Sequence, residues 1–197
     1  MAKTYKVNEI FYSLQGEGRW AGRAAVFVRF SGCNLLCSFC DTDFHSYTEY
    51  TAKQLVDEIK KTAPECRFVV LTGGEPTLQV DDVLTRALVY EGYYIAMETN
   101  GTRKLPANIS WVTCSPKYAY LANAKPIITK AHEVKVVFDG THKVDDYDIK
   151  AQCFYVQPCD VGNAKENADI LKKTIEFVKA NPKWQLSLQQ QKIINVR

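Results

Sequence analysis

A chain of 197 residues is long enough to bury one substantial core and short for two ordinary domains, so a single domain spanning residues 1–197 is expected. Hydrophobic residues at 46% and charged residues at 24% exclude a disordered chain, and no apolar run reaches the roughly 18 residues of a membrane span. The net charge of +3 is spread without a Lys/Arg block and names neither nucleic acid nor a membrane surface as partner.

Residues 1–9 lack the basic and then apolar layout of a secretory signal, so the expected compartment is the cytoplasm. Leu14-Gln15-Gly16-Glu17-Gly18 precedes the first predicted strand, residues 25–30. Ser-Gly-Cys-Asn-Leu-Leu-Cys-Ser-Phe-Cys-Asp-Thr follows that strand and sets Cys33, Cys37 and Cys40 on one loop. A helix is predicted from Thr51, where Thr-Ala-Lys-Gln has the form of a capping box, through Leu55, Val56 and Ile59 to a stop before Pro64. Strand 68–72 then leads into Gly73-Gly74-Glu75-Pro76, and a second helix opens near Asp81 and stops at Gly92.

Strands 93–98 and 111–114 come next, ending on Glu98-Thr99-Asn100-Gly101-Thr102 and on Ser115-Pro116-Lys117. Strand 133–138 and strand 154–157 follow, the latter ending on Gln157-Pro158-Cys159-Asp160. A third helix over 164–180 carries Ile170, Leu171, Ile175 and Val178 on one face, and strand 184–188 precedes a tail that reads Gln189-Gln190-Gln191-Lys192. This alternation predicts an α/β fold with a mostly parallel sheet covered by helices. It allows a doubly wound sheet as well as a barrel or partial barrel, and in both the ligand sits past the C-terminal ends of the strands.

The cysteine loop occupies that ligand-binding edge. Thiolates are the ligands of iron-sulfur clusters, and Cys33, Cys37 and Cys40 are close enough to converge on one cubane while leaving an iron without a protein ligand. An open coordination position separates a centre that binds substrate from one that only holds a fold together. The alternative is a structural zinc site with His45 as fourth ligand, which would make the chain a non-catalytic module. Cys66, Cys114, Cys153 and Cys159 are scattered along apolar segments and read as small buried hydrophobes, and His132 and His142 read as surface residues.

The C-x3-C-x2-C loop and the Gly-Gly-Glu-Pro segment resemble the radical S-adenosylmethionine superfamily, an open, partial TIM-like β/α barrel. Further stretches resemble its 7-carboxy-7-deazaguanine synthase family. The resemblance implies a [4Fe-4S] cluster on Cys33, Cys37 and Cys40, with S-adenosylmethionine on the free iron. It implies that Phe39, Asp41, Gly74, Glu75, Glu98, Ser115, Pro116, Lys117, Gln157, Pro158, Cys159 and Asp160 bind the cofactor. Leu14, Gln15, Gly16, Glu17, Arg29 and Thr72 would bind a pterin, with the Arg29 guanidinium on its carboxylate. Cys40-Asp41-Thr42 resembles the family's C-D-T, in which the threonine hydroxyl ligates Mg2+.

The resemblance further implies the reaction. A 5'-deoxyadenosyl radical takes a hydrogen atom from 6-carboxytetrahydropterin, the ring contracts, and ammonia leaves to give 7-carboxy-7-deazaguanine. A homodimer and a flavodoxin-type electron donor are implied as partners. The tail departs from the family pattern, since Gln191 stands where the family commonly has histidine and Arg197 ends the chain. A glycyl-radical activase shares the cysteine spacing and is the nearer competing reading, against which Leu14 to Gly18 and Cys40 to Thr42 argue.

Overall fold

The computed structural model describes residues 3–40 and 46–197. In chain order these form β1 (Thr4–Leu14), β2 (Ala24–Phe30), β3 (Thr48–Thr51), α1 (Ala52–Thr62), β4 (Phe68–Gly73), α2 (Asp82–Tyr90), β5 (Tyr94–Thr99), β6 (Trp111–Cys114), β7 (Glu133–Phe138), β8 (Cys153–Pro158), α3 (Ala164–Ala180), β9 (Gln185–Leu186) and α4 (Gln190–Ile193). Among the described residues, the nine strands share one sheet in the order β3-β1-β2-β4-β5-β6-β7-β8-β9. The run from β2 through β4 to β9 is parallel, whereas β1 is antiparallel to both β2 and β3. The two end strands do not pair, so the sheet is an open, partial TIM-like barrel.

Side-chain alternation along the strands divides the core in two. On the outer face Val26, Val28, Val69, Leu71, Ile95 and Met97 meet Leu55, Val56 and Ile59 of α1 and Leu84 and Leu88 of α2. Each fully buried aliphatic side chain there contributes about 1.5–3 kcal/mol. The inner face carries Phe11, Ala25, Phe27, Phe68, Val70, Ala96 and Trp111. A 3-10 turn at Gly18–Trp20 closes the floor of the barrel, where Trp20 meets the first residues of β4, β5 and β6 edge-on. Its ring centroid lies 5.6 Å from Phe68, 5.7 Å from Tyr94 and 5.3 Å from Trp111.

The predicted helices form where their caps place them. Thr51 Oγ1 accepts from Gln54 N at 3.3 Å while Thr51 N donates to Gln54 Oε1 at 2.8 Å. The buried face of α3 differs from the prediction: Ile170 and Thr174 are buried, and Ile175 is exposed. Thr174 tolerates this because its hydroxyl donates to the Ile170 carbonyl at 2.7 Å. Strands β1 and β3 were not predicted, and the strand expected over 184–188 pairs only over Gln185–Leu186. His132 is half-buried rather than at the surface, with Nδ1 accepting from Val112 N at 2.9 Å and its ring stacked on Trp111.

Candidate active site

A cleft runs down the inside of the barrel, and two loops reach it from opposite edges. The cysteine loop leaves the C-terminal end of β2, beside the ends of the other parallel strands. Because β1 is antiparallel, its last residue Leu14 pairs with Ala24 at the start of β2, so residues 14–18 enter from the other edge. The lining includes Leu14, Gln15, Gly16 and Glu17 from that side and Cys33, Cys37, Phe39 and Cys40 from the other. Arg29, Thr72, Gly74 and Glu98 line the wall between them, and Ser115, Lys117, Gln157, Pro158, Cys159 and Asp160 complete it.

The three thiols share one electrostatic neighbourhood. Burial pushes the Cys33 and Cys37 thiols above the ordinary cysteine value, and each of the pair is raised further by the neighbouring cysteines. Lys117 opposes this at Cys37. A metal must therefore displace protons from these sulfurs, as iron does on binding thiolates. Among the described residues no three Cys, His, Asp or Glu side chains are closed into a metal cage. His45, the zinc alternative's fourth ligand, lies outside the described residues, as do Asp41 and Thr42.

Gly74 is where the neighbouring loop crosses the cysteine loop. Its N–H donates to the Phe30 carbonyl at 3.0 Å and Glu75 N donates to the Gly32 carbonyl at 2.9 Å, and a Cβ on Gly74 would overlap that Gly32 oxygen. Glu75 is buried and faces the protein. Its Oε1 accepts from Thr77 N at 3.0 Å, Thr77 Oγ1 at 2.6 Å and Thr99 Oγ1 at 2.8 Å, and its Oε2 accepts from Asn100 N at 2.8 Å. Glu75 thus ties the end of β4 to the end of β5, while Gly74 presents backbone to the cleft. Pro116 is buried and outside the lining.

The cleft also holds a buried charge network that was not predicted. Lys135 of β7, only 4% exposed, pairs with Glu17 and lies 3.7 Å from Glu98 Oε2. Gln15 Nε2 donates to Glu98 Oε1 at 2.8 Å, and Glu17 Oε1 accepts from Gln189 Nε2 at 3.0 Å and Gln191 Nε2 at 3.3 Å. Glu133, two residues before Lys135, accepts from Arg19 N at 3.0 Å. Burial drives the Glu17 carboxyl upward, but Lys135 and the two glutamine amides outweigh it and hold that carboxyl well below the usual range. A lysine and a glutamate two apart in an otherwise apolar strand share one face, and that spacing was the available signal.

Arg29 sits at the cleft edge with Nε 3.5 Å from Glu9 Oε2 and its guanidinium 5.4 Å from the Phe11 ring centroid. Arg197 approaches the same Glu9 and Phe11, and its carbonyl accepts from the Ser13 hydroxyl. Cys159 and Cys114 are buried, the former against the cleft, and Cys66 and Cys153 are half-buried.

A model of the Radical SAM superfamily matches residues 27–178. The 7-carboxy-7-deazaguanine synthase of Bacteroides thetaiotaomicron is 47% identical over 193 residues, covering 98% of both chains. This chain belongs to that family of radical SAM enzymes. The synthase of Burkholderia multivorans is 41% identical, over 98% of this chain and 99% of its own. The crystal structure of QueE from Escherichia coli superposes with a TM-score of 0.75 at 27% identity, covering 95% of this chain and 94% of that one.

Membership brings a [4Fe-4S] cluster and S-adenosylmethionine, and the residues present fit both. Three soft thiols reach one cleft wall from a single loop, which is the donor set an iron-sulfur cluster takes. The backbone at Gly74, bare of a side chain, borders the same cleft, and Ser115, Lys117, Gln157 and Asp160 add polar groups at the ends of β6 and β8.

Proposed function

We propose that this protein converts 6-carboxy-5,6,7,8-tetrahydropterin to 7-carboxy-7-deazaguanine with loss of ammonia, a carbon–nitrogen lyase step in 7-deazapurine (queuosine-type) biosynthesis. The observation that carries the reading is the pairing, within one cleft, of the cysteine loop with the separately delivered residues 14–17, in a chain alignable over 98% of its length with named synthases. When bound, the cluster and S-adenosylmethionine supply one-electron reduction and hydrogen-atom abstraction. The chain's own residues then have to place a single carbon and keep other hydrogen donors away.

In this reading Arg29 presents its fork to the pterin carboxylate, and Gln15, Glu17 and Thr72 hold the ring. Glu17, kept ionised, acts as a fixed acceptor rather than as a base. Ser115, Lys117, Gln157, Pro158, Cys159 and Asp160 hold S-adenosylmethionine from the ends of β6 and β8, with Phe39, Asp41, Gly74 and Glu98 around it, while Glu75 acts from behind by tying the ends of β4 and β5 together. Mg2+ on Thr42 belongs to the proposal as the charge that assists rearrangement. So do a single domain over residues 1–197, a homodimer, a flavodoxin-type donor and a cytoplasmic location. For the last, no helix among the described residues is long and apolar enough to cross a membrane.

Anaerobic reconstitution followed by incubation with the pterin, S-adenosylmethionine and a reductant tests the proposal. The expected result is broad visible absorption that bleaches on reduction, with a deazapurine product detected by mass spectrometry. A colourless zinc protein, or an active cluster that yields no deazapurine, would overturn it.

A further inference from the structure

Lys135 carries no part of the function proposed above, yet it is the most buried cation of the cleft. Glu17 reaches it from the loop after β1, Glu98 from β5 and Glu133 from β7 itself. Lys117, after β6, is the other cation that acts on this group. From β8 and the segment after β9 the neighbours of the network are uncharged: Gln157 accepts from Ser187, and Gln189 and Gln191 donate to Glu17. Three carboxylates thus surround one ammonium, and two of them, Glu17 and Glu98, border the cleft.

We propose that Lys135 is a positioning residue: its ammonium fixes the Glu17 and Glu98 side chains in place, with Glu17 turned to the tail glutamines, so that the cleft presents fixed acceptors to the N–H groups of the pterin. The role rests on the substrate proposed above. It is not acid catalysis. Burial alone would lower the Lys135 pKa, but the carboxylates, Glu17 foremost, push it far above the usual lysine value, which makes it a poor proton donor. It is not a contribution from a surface ion pair either, since the ammonium is desolvated and its loss strands buried carboxylates. Glu17 then reverts to the behaviour that burial dictates. Its carboxyl titrates upward, the protonated form fails as an acceptor, and the amide donors of Gln189 and Gln191 lose their anion.

The test compares the full chain, cluster reconstituted, with Lys135→Met and Lys135→Arg. Pterin affinity is measured by calorimetry from about pH 6 to about pH 9, and iron content and S-adenosylmethionine affinity are measured in the same samples. The parent should bind the pterin with little pH dependence. Lys135→Met should keep its iron and its S-adenosylmethionine affinity, lose about tenfold or more in pterin affinity near neutral pH, and regain part of it as pH rises and Glu17 ionises. Lys135→Arg, which keeps the charge, should restore the flat profile. Pterin affinity in Lys135→Met that matches the parent and stays flat would overturn the role. So would an equal loss of iron, S-adenosylmethionine and pterin binding, or, should the Met variant not fold, an Arg variant with a sloping profile. A parent that binds the pterin but forms no deazapurine would overturn the proposed reaction and leave the Lys135 role standing.

Discussion

Two residues of the cleft have effects that their surroundings make calculable. A methyl group on Gly74 has no space, because its position belongs to the Gly32 carbonyl oxygen, and the obstacle is backbone. Gly74→Ala should therefore cost about 1–3 kcal/mol through overpacking, and the strain falls on the loop that carries Cys33. Iron per chain after reconstitution should drop together with Tm, and a variant matching the parent in both would contradict the crossing described. Arg29 is different, since Glu9 and Phe11 hold it at the edge without burying it. Arg29→Ala should leave iron content alone and raise the pterin KM by about tenfold or more, the equivalent of about 1.5–3 kcal/mol for a charge-assisted bond. Unchanged pterin affinity would count against a carboxylate site at Arg29.

At the scale of elements, helix ends carry stability that the cleft does not feel. Thr51→Ala removes the side-chain half of the α1 capping box, the acceptor for Gln54 N, and should lower stability by about 1 kcal/mol with pterin KM unchanged, because α1 packs on the outer face. Asp81 caps α2 and also accepts from Tyr5 Oη and Lys3 Nζ, both at 2.7 Å. Burial raises its carboxyl, but those bonds prevail and bring it from 3.8 to about 2. A folded value below the unfolded one stabilises at higher pH and is lost as pH falls. The deficit of Asp81→Ala in urea unfolding, about 1–2 kcal/mol at neutral pH, should shrink as pH falls from 3.8 toward about 2. These caps were legible in the sequence because they are local. β1 was not: a register shift between Val7 and Glu9 flips its parity, so Tyr5 and Val7 join the outer core while Phe11 joins the inner one. A period of two cannot be read across such a bulge. The loop motifs were legible by resemblance, but Lys135 and Glu133 lie inside a predicted strand to which no chemistry was assigned.

The whole molecule is an unclosed barrel, and the gap between its ends is bridged by chain that belongs to no strand. Among the described residues β3 pairs with β1 only over Thr4–Val7, so the later part of β1 has no paired strand on that side. The tail lies there. Gln190 N donates to the Gly16 carbonyl at 3.1 Å, Gln189 and Gln191 reach Glu17, Lys192 reaches Asp160 beyond β8 at 2.7 Å, and Arg197 reaches Glu9. Neither the outer nor the inner core described above, nor the further cluster of Cys114, Val134, Val136, Ile149, Val156 and Trp184 beneath α3, includes a residue after Trp184. Ending the chain after Leu188 should therefore leave the fold and the iron content near those of the parent, with a modest fall in Tm. Pterin affinity should fall by about tenfold or more, because Glu17 loses two of its donors. Removing only Val196 and Arg197 keeps those donors and should cost less. Equal losses from the two truncations would place the tail's contribution at Arg197, and parallel loss of iron and Tm from the longer one would make the bridge a structural seam rather than part of the pterin site.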